Sequence, residues 1–114
     1  MADIQRYQIR YTQAAVTDME EKADYIAFQL RDPSLAETWY FRLRELIQSN
    51  LTIFPLKYPL YDVSPWNKRG VRLFITRNDI VLYSVDTDHY TVYIRAVCTR
   101  GRSLPAHLER QEPD

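Results

Sequence analysis

The chain contains few of the residues that build redox, metal or nucleotide sites. Its 114 residues include one cysteine, Cys98, and two histidines, so an internal disulfide is excluded and no Cys/His spacing typical of a metal site occurs. The two glycines form no phosphate-binding loop, and we therefore predict neither a metal nor a nucleotide cofactor. We expect Cys98 to be a small buried residue, because no histidine is placed to activate it as a nucleophile.

Long apolar runs and a net charge are also missing. No stretch approaches the ~18 apolar residues that a membrane span needs, and the N-terminus lacks the charged-then-apolar pattern of a signal sequence. We therefore expect a cytoplasmic protein with no membrane partner. The 15 basic and 15 acidic residues are unevenly placed, since residues 39–102 carry ten basic and five acidic ones. Such segregation can steer an anionic partner to one face, although chance clustering of solvated charges is an equal alternative.

The first part of the chain predicts a strand followed by a helix. Apolar and polar residues alternate from Tyr7 to Thr12, which is typical of a half-buried strand, and the Thr12 side chain is suited to cap the next helix. An amphipathic helix of roughly residues 14–31 follows. Asp18 and Lys22 stand four residues apart on it, in the order that favours an ion pair, and its acidic face is expected to be solvated.

A second helix is predicted directly after the first. Asp32 precedes Pro33 and so ends the first helix, while Ser34 and Glu37 have the spacing of a capping box. A short connection makes the two helices an antiparallel hairpin. Its second helix carries Trp39 and other apolar residues that we expect in the core. A loop stiffened by prolines follows and ends at Gly70, where a backbone that disfavours other residues is expected.

Residues 69–102 predict a meander of three short antiparallel strands. The whole chain is therefore predicted to be one α+β domain over residues 1–114, with the helical hairpin on one face of the sheet and the other face free. Alternation places Arg72 and Arg95 on the free face. It places these apolar residues against the helices: Val71, Leu73, Ile75, Val92 and Ile94. Residues 103–114 are expected to form a partly flexible tail, in which Leu104 and Leu108 extend a strand or begin a helical turn.

The meander holds the candidate functional residues. Arginine binds phosphate through two parallel hydrogen bonds and also contacts carboxylates and aromatic rings. We therefore predict a functional cationic cluster of Arg72, Arg95, Arg100 and Arg102. Further contacts to a nucleic acid or another target are predicted for Lys68, Arg69 and Tyr83.

Several short motifs are spread along nearly the whole chain. They are Tyr7-x-Ile9-x-Tyr11-Thr12, Ala23-Asp24-Tyr25-Ile26-Ala27, Asp32-Pro33-x-x-Ala36, Phe54-Pro55-x-x-Tyr58-Pro59-Leu60-Tyr61, Pro65-Trp66-x-x-Arg69-Gly70-x-Arg72, Val81-x-Tyr83-x-Val85-Asp86 and Val92-x-Ile94-Arg95-x-Val97. In this order they resemble the RelE/ParE superfamily of toxins from type II toxin–antitoxin systems. The resemblance implies a β-α-α-β-β-β fold and a growth-inhibitory, plasmid-stabilising type of protein that an antitoxin neutralises.

The resemblance implies one of two targets. ParE-like members inhibit DNA gyrase, and the Pro65-Trp66 loop and the Ile94-Arg95-x-Val97 strand are closer to them. RelE-like members cut mRNA on the ribosome. Cutting RNA requires a proton donor and acceptor beside cations, and the two histidines, His89 and His107, fall in a turn and in the tail. A third alternative is a plain RNA-binding module that stacks bases on sheet aromatics. At Ser103 the chain departs from the acidic residue of many ParE-like relatives.

Overall fold

The computed structural model describes residues 4–109 as one four-stranded sheet with helices on both faces. The predicted β-α-α-β-β-β order is confirmed, and a further short helix follows it. Leu104 and Leu108 lie in this last helix, whereas residues 110–114 of the predicted tail fall outside the described residues. The elements are β1 (Gln8–Tyr11), α1 (Gln13–Asp24), α2 (Pro33–Leu51), β2 (Arg72–Ile75), β3 (Asp79–Asp86), β4 (Thr91–Thr99) and α3 (Leu104–Glu109).

Helix α1 begins where the sequence predicts it. The Thr12 hydroxyl accepts a hydrogen bond from the Ala15 N–H at 3.2 Å, which satisfies one of the unpaired donors of the first turn. The α-helix ends at Asp24 and continues as a π-helical turn, Tyr25–Gln29. This turn leads into a short connection that brings α2 back along α1.

Helix α2 begins two residues earlier than the predicted cap at Ser34 implies. Its N-cap is Asp32, whose Oδ1 accepts a hydrogen bond from the Leu35 N–H at 3.0 Å. Pro33 occupies the first helical position, where its missing N–H costs nothing and its fixed φ suits the helix. The predicted capping box of Ser34 and Glu37 is therefore wrong, because the carboxylate of Asp32 already caps this end.

The sheet has the strand order β1-β4-β3-β2. The β2–β3 and β3–β4 pairs are antiparallel hairpins, as predicted for strands joined by tight turns. Strand β1 instead lies parallel to β4, with Ile9 beside Val92, because the helical hairpin carries the chain from one end of the sheet to the other. Gly70, at φ +73°, precedes β2 in the left-handed conformation that glycine tolerates best.

Both faces of the sheet are covered, so the predicted free face is only partly free. One face packs on α1 and α2 through Phe74, Val81, Tyr83, Val92, Ile94 and Val97. The opposite face packs on α3 and the proline loop through Val71, Leu73, Ile80, Leu82, Ala96 and Cys98, with Leu104, Leu108, Tyr61 and Trp66 above them. Cys98 is buried, as predicted. The prediction that Val71, Leu73 and Ile75 face the helices is wrong, since the first two lie on the opposite face and Ile75 is half exposed.

The outer edge of β4 is closed by a side chain of α1. Strand β1 ends at Tyr11, and beyond this point the Val97 N–H of β4 donates to Asp18 Oδ2 at 2.9 Å. Asp18 and Lys22 thus have partners outside their own helix, because Lys22 forms an ion pair with Asp79 of β3. No helix within residues 4–109 is long and apolar enough to cross a membrane.

Candidate functional site

Arg72 fastens the proline loop to the edge of the sheet. Its Nη1 donates to the backbone carbonyls of Leu56 at 3.2 Å and Tyr58 at 2.6 Å. It stands opposite Tyr83 in the β2–β3 register and therefore on the helix side of the sheet. The prediction that Arg72 lies on the free face is therefore wrong. Both faces of β2 are covered, so the alternation of its residues does not reveal which face meets the helices.

Tyr83 belongs to the core. Its side chain is fully buried, and its hydroxyl donates to the Pro55 carbonyl at 2.5 Å. Burial raises the pKa of this hydroxyl to about 12, because the charged phenolate is poorly solvated there. A side chain with no exposed surface cannot contact a nucleic acid or another target, so the prediction of such a contact for Tyr83 is wrong.

Arg95 lies on the face of the sheet away from α1 and α2, as predicted. It is the extra residue of a β-bulge, since Leu82 aligns with Ala96 but Tyr83 aligns with Ile94. The bulge lets Arg95 and Ala96 project on the same face. The Arg95 Nε donates to Ser84 Oγ at 2.7 Å, and its guanidinium lies 5.8 Å from the centre of the Tyr93 ring.

Arg100 and Arg102 are exposed and follow the end of β4. The Arg100 Nη1 donates to the carbonyls of Thr76 at 3.3 Å and Arg77 at 3.4 Å. Its backbone N–H also donates to the Asn78 carbonyl at 3.0 Å. Arg100 therefore clamps the turn between β2 and β3, so that Arg77 is carried beside it.

Lys68 and Arg69 lie on the proline loop. Both are in a 3₁₀ turn, Asn67–Arg69, and are exposed. The Arg69 guanidinium stacks on Trp66 at 5.3 Å from the ring centre. The seven predicted site residues therefore occupy separate places: the proline loop, the β2 edge, the core, the sheet face and the end of β4.

A groove of about 750 Å³ lies between the helical hairpin and the end of β4. We call it the cationic groove. Its helical wall carries apolar side chains beside the charged Glu21, Lys22 and Arg42, and the apolar ones are Tyr25, Ile26, Leu30, Leu35, Leu43 and Leu46. Several of these side chains are substantially exposed, including Leu30 at 52% and Leu35 at 47%. Its cations are Arg42, Arg77, Arg100 and Arg102. Arg42 and Arg77 were missed by the sequence analysis, since only the packing of α2 against the turn brings them together.

The cationic groove has a polar floor. Asp79 is 2% exposed and accepts a hydrogen bond from Trp39 Nε1 at 2.8 Å, while Lys22 forms its ion pair. Asp79 also donates its backbone N–H to Thr76 Oγ1 at 2.9 Å. A buried charge needs such a set of partners, so this network ties the β2–β3 turn to both helices of the hairpin.

Each of the two histidines lies within hydrogen-bond distance of a carboxylate. His107 of α3 lies 2.9 Å from Asp18 Oδ2 and lines the cationic groove. His89 lies 2.8 Å from Asp86 in the exposed β3–β4 turn, and its hydrogen bond lowers the pKa of that carboxyl. Within residues 4–109, no three His, Cys, Asp or Glu side chains are grouped closely enough to hold a metal ion.

The fold is shared with chains from two solved toxin–antitoxin complexes. A chain of the RelBE2 toxin–antitoxin complex from Mycobacterium tuberculosis is 21% identical, with a TM-score of 0.64, and the match covers 90% of this chain and 100% of that one. A chain of the chromosomal ParDE system from P. aeruginosa is 15% identical, with a TM-score of 0.66, and the match covers 83% and 97%. No family model and no curated protein matches the sequence. At these identities the likeness shows the fold, which is the one that the sequence resemblance implies.

Proposed function

We propose that this chain is the toxin of a type II toxin–antitoxin module, growth-inhibitory when free and neutralised by a protein antitoxin. The sequence motifs and the shared fold support the same assignment from independent directions. The two similar structures both come from toxin–antitoxin systems.

We propose the cationic groove as the surface for the antitoxin. Several of its apolar side chains are exposed, and its cations lie on α2, as Arg42 does, and across the groove from the helices, as Arg77, Arg100 and Arg102 do. The fitting partner is a helix or extended segment with leucine-like side chains on one face and acidic residues on the other. Its apolar side chains would be buried against those of the groove, and its acidic residues would pair with the arginines. Binding of such a partner should slow the exchange of backbone amides around Leu30 and Leu35. Replacing either leucine should weaken the binding.

For the cellular target we propose ParE-like inhibition of DNA gyrase by binding alone. The observation that carries this choice is the dispersal of the predicted arginines. Arg72 is held by backbone carbonyls on the helix side, whereas Arg95 lies on the opposite face. Catalysis would need cations and a proton-transfer group around one reacting phosphate. A docking surface needs only complementary shape and charge.

Supercoiling by purified gyrase tests this proposal. We expect excess protein to block supercoiling, and Arg77→Ala combined with Arg102→Ala to relieve the block if the cationic groove also contacts gyrase. The matched control is Arg44→Ala, a similarly exposed arginine of α2 that does not line the groove. Supercoiling that proceeds unchanged at excess wild-type protein would rule out gyrase as the target.

Ribosome-dependent mRNA cleavage is the second candidate, and one observation favours it. His107 lines the same groove as Arg100 and Arg102 and is oriented by Asp18, an arrangement that suits a general acid or base. If this candidate is correct, the wild type will cut mRNA on ribosomes, and His107→Gln will abolish the cuts while the fold is retained. Cuts that persist in His107→Gln would exclude this histidine from the reaction.

A further inference from the structure

The solvent side of α2 carries a regular stripe of exposed side chains. The inner side of the helix packs in the core through residues at helical spacing, which are Ala36, Trp39, Leu43, Ile47 and Leu51. Four further residues at spacings of four, three and four lie on the opposite side, and all of them are exposed. We call this set the outer stripe: Thr38, Arg42, Glu45 and Ser49.

The outer stripe contains one cation and one anion that have no ion pair within residues 4–109. Arg42 and Glu45 lie three residues apart, at a spacing that allows a pair within the helix, but the ion pairs of this part of the chain involve neither of them. Next to them the Phe41 side chain is 60% exposed, and its ring meets that of Tyr40 edge-on with 5.5 Å between the ring centres. The solvent side of α2 therefore offers both charges and an aromatic ring to another surface.

The outer stripe is complementary to itself. Two copies of a helix can pair antiparallel about a two-fold axis, and residues at equal distances on either side of the axis then face each other. With the axis midway between Arg42 and Glu45, the Arg42 of each copy faces the Glu45 of the other. The same axis sets Thr38 opposite Ser49, and the Ser49 hydroxyl donates back to the Glu45 carbonyl of its own helix at 2.8 Å. The ends of the contact are thus small and uncharged, so they allow the two helices to approach.

The other simple arrangements bring like charges together. An axis through Phe41 would set Glu37 against Glu45 of the second copy, and a parallel pair would set each residue against itself, including Arg42. Like charges at such contacts are unfavourable, so the charges select one register. In that register the two Phe41 side chains lie on the same flank of the contact, about 7.5 Å apart along the helix axis, a separation that two aromatic rings can bridge.

We propose that α2 pairs with α2 of a second copy through the outer stripe, which makes the chain a two-fold dimer. Each Arg42 guanidinium can bind a Glu45 carboxylate through two parallel hydrogen bonds, and the symmetry provides this contact twice. One pair of helices in contact over about three turns is smaller than the ~1,200 Å² interface of a stable complex, so we expect association only at high protein concentration. Arg42 also lines the cationic groove, and a second copy would therefore cover part of it. Self-association goes beyond the proposed function and does not depend on it.

Sedimentation velocity of the purified full chain tests the proposal, over about 10–500 µM because oligomerisation follows mass action. The variants Arg42→Glu and Glu45→Arg each place like charges at both contacts. In an equimolar mixture of the two variants, one copy carries two acids and the other two arginines, so both contacts of a mixed dimer become attractive. The controls make the same charge changes elsewhere: Arg44→Glu, on the side of α2 that faces Tyr11, and Glu20→Arg on α1. Thermal unfolding of each variant checks that it is folded.

We expect the mean mass of the wild type to rise towards that of a dimer with concentration, and each single variant to weaken dimerisation by about ten-fold or more. The equimolar mixture should associate at least as strongly as the wild type, and the double variant with both changes should regain dimerisation. Arg44→Glu and Glu20→Arg should stay within about two-fold of the wild type, since exposed charges away from the contact are screened by salt.

Three outcomes would overturn the proposal. They are a wild type that stays monomeric over the whole range, a mixture that associates no more than its components, and equal losses in the variants and the controls. The second would mean that the two charges do not face each other, and the third would mean that only the net charge matters. Because neither gyrase nor an antitoxin is present in these samples, failure of the proposed function leaves the sedimentation result unaffected.

Discussion

Replacing Asp79 with alanine should destabilise the protein more than any other single loss of a polar group on the groove side. The carboxylate is 2% exposed and has both Lys22 and Trp39 as partners. Removing one member of a buried ion pair costs about 3–5 kcal/mol, because the other charge is left uncompensated. The Lys22 side chain is 19% exposed and can reach water with its ammonium group, which lowers the cost. The indole N–H of Trp39 cannot reach water in this way, and leaving it without an acceptor costs about 1–3 kcal/mol.

We therefore expect Asp79→Ala to lower the free energy of unfolding by about 3 kcal/mol, which is a large part of the ~5–15 kcal/mol typical of a small domain. Urea unfolding followed by tryptophan fluorescence measures this value. Asp79→Asn is the matched control, since its amide oxygen can still accept from Trp39, and its loss should be smaller, at about 1–2 kcal/mol.

A double-mutant cycle with Lys22→Met separates the ion pair from the indole hydrogen bond. Adding Lys22→Met to Asp79→Ala removes the uncompensated ammonium and should recover about 1 kcal/mol. A loss of less than about 1 kcal/mol in Asp79→Ala, or additive losses in the double variant, would refute the network as a source of stability.

Three further predictions concern α3, the β3–β4 turn and the proline loop. Leu108→Ala should lower the free energy of unfolding by about 3 kcal/mol, measured in urea, because it empties a core position that is 3% exposed; a loss below about 1 kcal/mol would mean that α3 does not pack on the sheet. His89→Ala should raise the Asp86 pKa towards its usual value in an NMR titration, because the His89 hydrogen bond lowers it. The pair therefore stabilises the fold above the pKa of unfolded Asp, about 3.9, and this contribution is lost as the pH falls through the lower folded pKa; an unchanged pKa in His89→Ala would contradict this. Gly70→Ala should lower the free energy of unfolding by about 1 kcal/mol through its positive φ alone, since no atom would contact the added Cβ. An unchanged midpoint of thermal unfolding would show that the backbone relaxes.

The order and type of the elements were predictable because each carries its own local signal. The alternation of β1, the Thr12 cap and the Asp32-Pro33 break all act within a few residues, and the structure confirms the element order that they indicate. The faces of β2 were not predictable. Both its faces are covered, so Leu73 and Phe74 are equally apolar and alternation cannot reveal which one meets the helices.

The candidate site was harder to predict because it depends on packing between distant segments. The bulge at Arg95 shifts the phase of β4, and no residue type in the sequence marks it. Arg42 joins Arg100 only through the packing of α2. Local periodicity contains none of these long-range contacts.

We expect the carboxylate of Asp18 also to limit association between copies of the chain at the sheet edge. Beyond Tyr11, the outer edge of β4 would otherwise present backbone groups to which a strand of another molecule could add, and such edges are where sheets begin to aggregate. The Asp18 carboxylate accepts the hydrogen bond of the Val97 N–H and places a negative charge at this edge. We expect Asp18→Ala to increase light scattering on heating more than an equally destabilising core substitution such as Leu108→Ala does. A single acidic residue of α1 would then keep a protein rich in exposed apolar side chains free of sheet-edge aggregates before any partner is made.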